Sequence, residues 1–118
     1  MLLSCGDALI DFLPAKSGDG RDALVPVVGG SCLNVAIGIA RLGAPAGFVG
    51  GISTDLFGRI IADHTQASKV DLRYAARRSR PTTLAFVHTI DGGAALRLLR
   101  RRHGRPGMDL QAGLHTIC

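Results

Sequence analysis

Two short apolar runs open the chain, Leu2-Leu3-Ser4-Cys5 and Ala8 to Leu13, joined through Gly6-Asp7 and closed by Pro14. Together they predict one buried strand that bends at Gly6. Residues 15–23 are polar and glycine-bearing, the composition of a turn. Leu24 to Val28 is β-prone, but Pro26 has no N–H for a central ladder, so this run belongs on a sheet edge or in a flap. After Gly29-Gly30 the period changes. Val35, Ile39 and Leu42 fall at helical spacing, Ser31 is placed to cap, and Gly43 followed by Pro45 closes the segment. Ala46 to Ile52 reads as a second strand. A second helix follows, with Ser53 or Thr54 as cap, Asp55 in the first turn, and Leu56, Phe57, Ile60, Ile61 and His64 on one face. Val70 to Tyr74 suggests a short strand, and Thr82 to Ile90 alternates as a longer one that ends at the turn pair Asp91-Gly92. This order of elements predicts an α/β sheet.

The pattern fails after that turn. A hairpin calls for a return strand, yet Leu96 to His103 is basic and shows no alternation. Charge marks the same boundary. Residues 1–95 carry nine Lys and Arg against eight Asp, whereas residues 96–118 carry five Arg against one Asp. The net charge of +5 therefore describes a tail, and a nucleic-acid reading from global charge would be an error of averaging. The 118 residues are 47% apolar, enough for one small domain and too hydrophobic for wholesale disorder. No run approaches a membrane span, and Asp7 and Asp11 interrupt the opening segment, which makes it a poor signal peptide. Cys5, Cys32 and Cys118 form no metal spacing; reduced thiols in the cytoplasm are the expectation.

No GxxxxGK[ST] loop and no GxGxxG turn occurs, and His64, His88, His103 and His115 are too scattered to suggest a metal site. The informative segment is Gly29-Gly30-Ser31-Cys32-Leu33-Asn34. Glycines allow close backbone approach to a ligand, the helix behind them presents free N–H groups, and the Asn34 amide can both donate and accept, as a hydroxyl does. Asp11, expected at the carboxyl edge of the sheet, can accept two hydroxyl protons. Carboxylate, amide and bare backbone together suit a polyol or sugar. The same residues also fit a plain turn and a cap, and spacing alone does not choose between them.

MLLSCGDALIDFLP, VGGSCLNVAIGIARLGAPAGFVGGISTDLFG and SRPTTLAF, running from residue 1 to about 94, resemble the amino-terminal part of ribokinase-like (PfkB) sugar kinases, fructokinases above all. The most specific pieces are GGSCLN with its following ARLG, and the GGISTDLFG loop with Gly50, Asp55 and Gly58. The resemblance implies the amino-terminal part of a doubly wound sheet with β flap strands near 24–28 and 82–90, truncated. It implies ATP-dependent phosphoryl transfer to a sugar hydroxyl, with ATP and Mg2+ used by the full-length family. Residue by residue, Asp11, Gly30 and Asn34 match sugar-contacting positions, and Ser31 a less uniform one. The partner implied is a fructose-like sugar.

The family's later DTxGAGD-like motif, which carries the catalytic base, has no match here. The expectation is therefore an inactive fragment that binds no nucleotide: residues 1–94 as the sugar-binding half and flap, and residues 95–118 as a disordered, out-of-frame tail. A one-base frame shift after Ala94 can convert the Leu codons to Tyr or Phe and the Arg codons to Ala, Asp or Gly, restoring an aromatic strand of the kind those kinases carry. The alternative is a small non-catalytic binding protein that uses the sugar-site remnant, or the Arg-rich tail on nucleic acid. The tail's lack of aromatic residues argues against the latter. An exposed sheet edge would promote self-association.

Overall fold

A computed structural model describes residues 1–90 and 93–99, with Thr89, Ile90 and 93–99 given by backbone alone. Two sheets share the chain. The first is parallel, in the order β1 (Leu2–Cys5), β4 (Ala46–Ser53), β5 (Ala75–Arg78). The second runs β3 (Asp22–Gly29), β2 (Leu9–Lys16), β6 (Thr83–Ile90), β7 (Gly93–Leu99), with β2 antiparallel to β3 and parallel to β6. Helices α1 (Ser31–Arg41) and α2 (Leu56–Ala67) complete the fold, both packing on β4.

The opening apolar stretch is thus two strands in two sheets. Leu2–Cys5 pairs with β4, whereas Leu9–Lys16 leaves for the second sheet. Alternation within each run is the same for one bent strand or two, so the sequence pattern could not separate them. Asp11 accordingly lies inside β2, not at the carboxyl end of the first strand. Pro26 does sit on an edge strand, opposite Phe12. The strand expected at Val70 to Tyr74 is displaced: Asp71 makes an isolated bridge to Gly47, and β5 begins at Ala75.

In both helices the buried face is rotated from the one that spacing suggested, although Phe57 and Ile61 of α2 do pack on the core. In α1, Cys32, Leu33, Ala36 and Ile37 are buried, while Val35 and Leu42 are exposed. In α2, Gly58, Ile61 and Thr65 face inward, while Leu56, Ile60 and His64 do not. Each helix is apolar on more than one side, and the faces carrying small residues, Ala36 and Gly58, allow the closer approach. A methyl added at Gly58 would stand 1.9 Å from the Ser53 carbonyl oxygen, which is how tightly α2 seats on the end of β4.

The ends follow recognisable chemistry. Gly43, at φ 89°, closes α1 in a Schellman arrangement: its N–H reaches the Ala40 carbonyl at 3.0 Å, and the Ala44 N–H reaches that of Ile39 at 3.2 Å. Asp55 is itself the N-cap of α2, not a first-turn residue, and accepts from the Gly58 N–H at 2.7 Å. The core joins Ile10, Leu33, Phe48, Ile52 and Ile61, drawing on both sheets and both helices.

Residues 93–99 form the return strand that the sequence reading found lacking. Gly93 pairs with Ile90 and Leu99 with Leu84 in antiparallel register. The free edge of β6 offers a full row of backbone groups, and the short Leu96-Arg97-Leu98 alternation is enough to answer it. The Asp91-Gly92 turn, His103, His115, Cys118 and the rest of the tail from residue 100 lie outside the described residues.

Candidate functional site

The β2–β3 register builds the site. Leu9 pairs with Gly29 and Asp11 with Val27, so the Asp11 side chain shares a sheet face with Gly29, one diagonal step away. A Cβ built on Gly29 would stand 2.2 Å from Asp11 Oδ2, so only a glycine leaves room for this carboxylate. Ala85 on β6 lies on the other flank of Asp11 and is fully buried. Among the described residues, no donor hydrogen-bonds the Asp11 carboxylate. Half-burial without a partner pushes its pKa above the ordinary carboxylate value.

Gly30 follows at once as the N-cap of α1, at φ 109° and ψ 120°, with no side-chain capping bond. The sequence reading placed Ser31 at the cap; it is instead the first helical residue, exposed, with its hydroxyl 3.9 Å from the Cys32 thiol. A methyl on Gly30 would meet the Asp7 carbonyl oxygen at 2.3 Å. Gly30 therefore serves the crossing of two chain segments, while Gly29 serves Asp11. Sequence reasoning singled out the pair for close approach and named only Gly30 as a site residue. The cross-strand register that puts Asp11 over Gly29 is not visible in a linear pattern.

Asn34 sits one turn into α1, its N–H bonded to the Gly30 carbonyl at 2.9 Å and its side chain exposed. The N–H groups ahead of it begin the helix without a side-chain cap. The structure thus joins Asp11 to Gly29-Gly30 through the sheet, and joins Gly30, Ser31 and Asn34 through the helix. The arrangement offers an unpaired carboxylate, an exposed amide, a hydroxyl and uncapped helix N–H groups, a mixed acceptor and donor set suited to a polyhydroxyl ligand.

Among the described residues, no group of three or more His, Cys, Asp or Glu could hold a metal ion. His64 and His88 are exposed and stand on different elements. Cys5 and Cys32 are free thiols, the first exposed and the second buried. No described helix is long and apolar enough to cross a membrane.

The parallel α/β sheet, the flap sheet on its side and the carboxylate held in that flap define a ribokinase-like fold. Comparison with known proteins agrees. Residues 1–97 match the pfkB family carbohydrate kinase family. A fructokinase from Rhizobium leguminosarum bv. trifolii is 43% identical over 94 residues, covering 80% of this chain and 29% of that protein. Probable fructokinase-7 of Arabidopsis thaliana is 34% identical over 116 residues, covering 93% of this chain and 32% of that one. The crystal structure of fructokinase with bound ATP from Xylella fastidiosa superposes with a TM-score of 0.75 at 35% identity, over 84% of this chain and 30% of that chain. The chain belongs to the pfkB family of carbohydrate kinases. It spans less than a third of the length of the relatives it matches.

Proposed function

We propose that the chain supplies the sugar-binding part of a fructokinase-like enzyme, in which a phosphoryl group passes from ATP, with Mg2+, to a hydroxyl of a fructose-like sugar. The observation that carries this reading is the Asp11 carboxylate, cleared by Gly29 and without a donor among the described residues, beside the uncapped start of α1. A half-buried acceptor without a donor suits hydroxyl groups that arrive with the ligand. Asp11 would accept from sugar hydroxyls, Asn34 would donate and accept, and Gly30 and Ser31 would present backbone N–H groups and a hydroxyl. The flap strands β3 and β6 hold Asp11 from both sides, so sugar and flap would order each other and exclude water, which otherwise competes as acceptor. On this reading the 118-residue chain binds sugar without phosphorylating it, and the cytoplasm, where free sugars meet ATP, is its compartment.

The test is a fructose titration of the labelled chain, followed by amide NMR. Shifts confined to residues around Asp11, Gly30, Ser31 and Asn34 are expected. Asp11→Asn should weaken binding by about tenfold or more, the worth of a charged hydrogen bond. Fructose that shifts no resonance at any concentration, or shifts Asp11→Asn equally, would overturn the reading.

A further inference from the structure

We infer that Asp55 is a positioning residue that fastens the flap strand β6 to the helix layer, and so sets Ala85 beside Asp11. A helix cap needs one acceptor for one N–H. Asp55 does more: besides Gly58, its carboxylate accepts from the Thr82 hydroxyl at 2.6 Å and from the Thr82 N–H at 2.8 Å. Thr82 stands where the chain passes from one sheet to the other. β5 ends at Arg78, paired with Ser53, and β6 begins in the flap at Thr83 after four intervening residues. A second fastening at the same place is the Thr54 N–H, which donates to the Arg78 carbonyl at 2.8 Å.

Three residues beyond Thr82, Ala85 pairs with Asp11, within a ladder that runs from Leu9–Thr83 to Phe12–Phe86. The first turn of α2 also grips the flap by an apolar contact. Phe57 meets Phe12 edge-on at 5.7 Å, and Phe12 stacks on Phe86 at 5.0 Å. One polar and one apolar clamp therefore join the start of α2 to the strands that carry and flank Asp11. Burial alone would push the Asp55 carboxyl upward, yet the bonds from Thr82, Gly58 and Ser53 hold it below the ordinary value, consistent with a working charged acceptor. The consequence for a ligand at Asp11 rests on the sugar-binding reading; the fastening itself does not.

Amide hydrogen exchange on the 118-residue chain tests it. Asp55→Ser keeps an oxygen that can cap Gly58 but is too short to reach Thr82, and Thr82→Val removes only the hydroxyl. Both should speed exchange of the β6 amides bonded to β2 by about tenfold, with Ile61 and Thr65 in α2 changed by less than about threefold. Thr82→Ser should restore wild-type protection. Equal acceleration of β6 and α2 would show a merely global loss of stability, and unchanged β6 protection would show no fastening; either overturns the inference. Fructose binding measured on the same variants separates the two claims. A wild-type chain that ignores fructose sinks the sugar reading alone. Intact β6 protection in both variants sinks the fastening alone.

Discussion

The carboxylate of Asp11 lies across the bare Cα of Gly29, with Oδ2 standing 2.2 Å from where a methyl would be. Gly29→Ala therefore pushes the carboxylate aside instead of breaking a helix or a turn. Fructose affinity should fall by about tenfold, while thermal unfolding shifts by only a few degrees, the lower end of overpacking costs. Gly30→Ala should behave oppositely. Its φ of 109° and the Asp7 carbonyl at 2.3 Å leave no room, so unfolding should come earlier by about 1–3 kcal/mol or more. Equal Tm losses for the two variants would contradict this division of labour.

Asp11 and Asp55 give opposite pH signatures. Burial raises the folded pKa of Asp11 above 3.8, so the folded chain holds this proton more tightly than the unfolded one. Stability from this group is complete at low pH and declines as pH rises from 3.8 through the raised value. Asp55 is lowered, so its contribution is present above 3.8 and is lost as pH falls through its folded value. Against wild type, Asp11→Asn should gain Tm as pH rises from 3.8 through the raised Asp11 value, and Asp55→Asn should lose Tm as pH rises from the lowered Asp55 value to 3.8. Fructose affinity should climb with pH across the Asp11 titration and stay flat in Asp11→Asn.

Gly58 bears on stability alone. With the Ser53 carbonyl oxygen 1.9 Å from an added Cβ, Gly58→Ala forces α2 away from β4, which should cost about 1–3 kcal/mol or more. Denaturant unfolding reads this directly. An unchanged midpoint would mean that α2 sits more loosely than described.

Self-association should follow from the sheet edges. Among the described strands, β1 and β3 each pair on one side only, and both carry exposed apolar residues: Leu2 and Leu3 on one, Leu24, Val25 and Val27 on the other. Sedimentation coefficients should rise with concentration, and Val25→Lys should suppress that rise, since edge lysines oppose pairing. A chain that sediments as a monomer at every concentration would refute it.

Local chemistry was legible where one residue answers one need. Pro26 at an edge, Gly43 closing α1, and the glycine pair ahead of it could all be read from residue type. Sheet membership could not, because Leu2–Cys5 and Leu9–Lys16 are equally apolar and only their partners differ. The buried faces of both helices were misjudged in part for a related reason: Val35 and Leu56 are as hydrophobic as Leu33 and Ile37, and tertiary packing chose between them. The return strand β7 was missed because its arginine obscured a short alternation that an open β6 edge could use. Of the site, the residues were nameable from their motif, but the clearance of Asp11 by Gly29 needed the register.

Two of the three places where the described chain passes between the sheets press against each other. Gly6 faces the Cys32 thiol, and Gly30 faces the Asp7 carbonyl, with no side chain of their own between. A junction built from glycine against its neighbours has nothing it can trade, since any replacement adds atoms where none fit. By contrast, the β2–β3 tip around Ser17 to Arg21 turns in the open. That tip is where a tag, a label or an inserted peptide can be carried without disturbing the carboxylate at the other end of the same two strands.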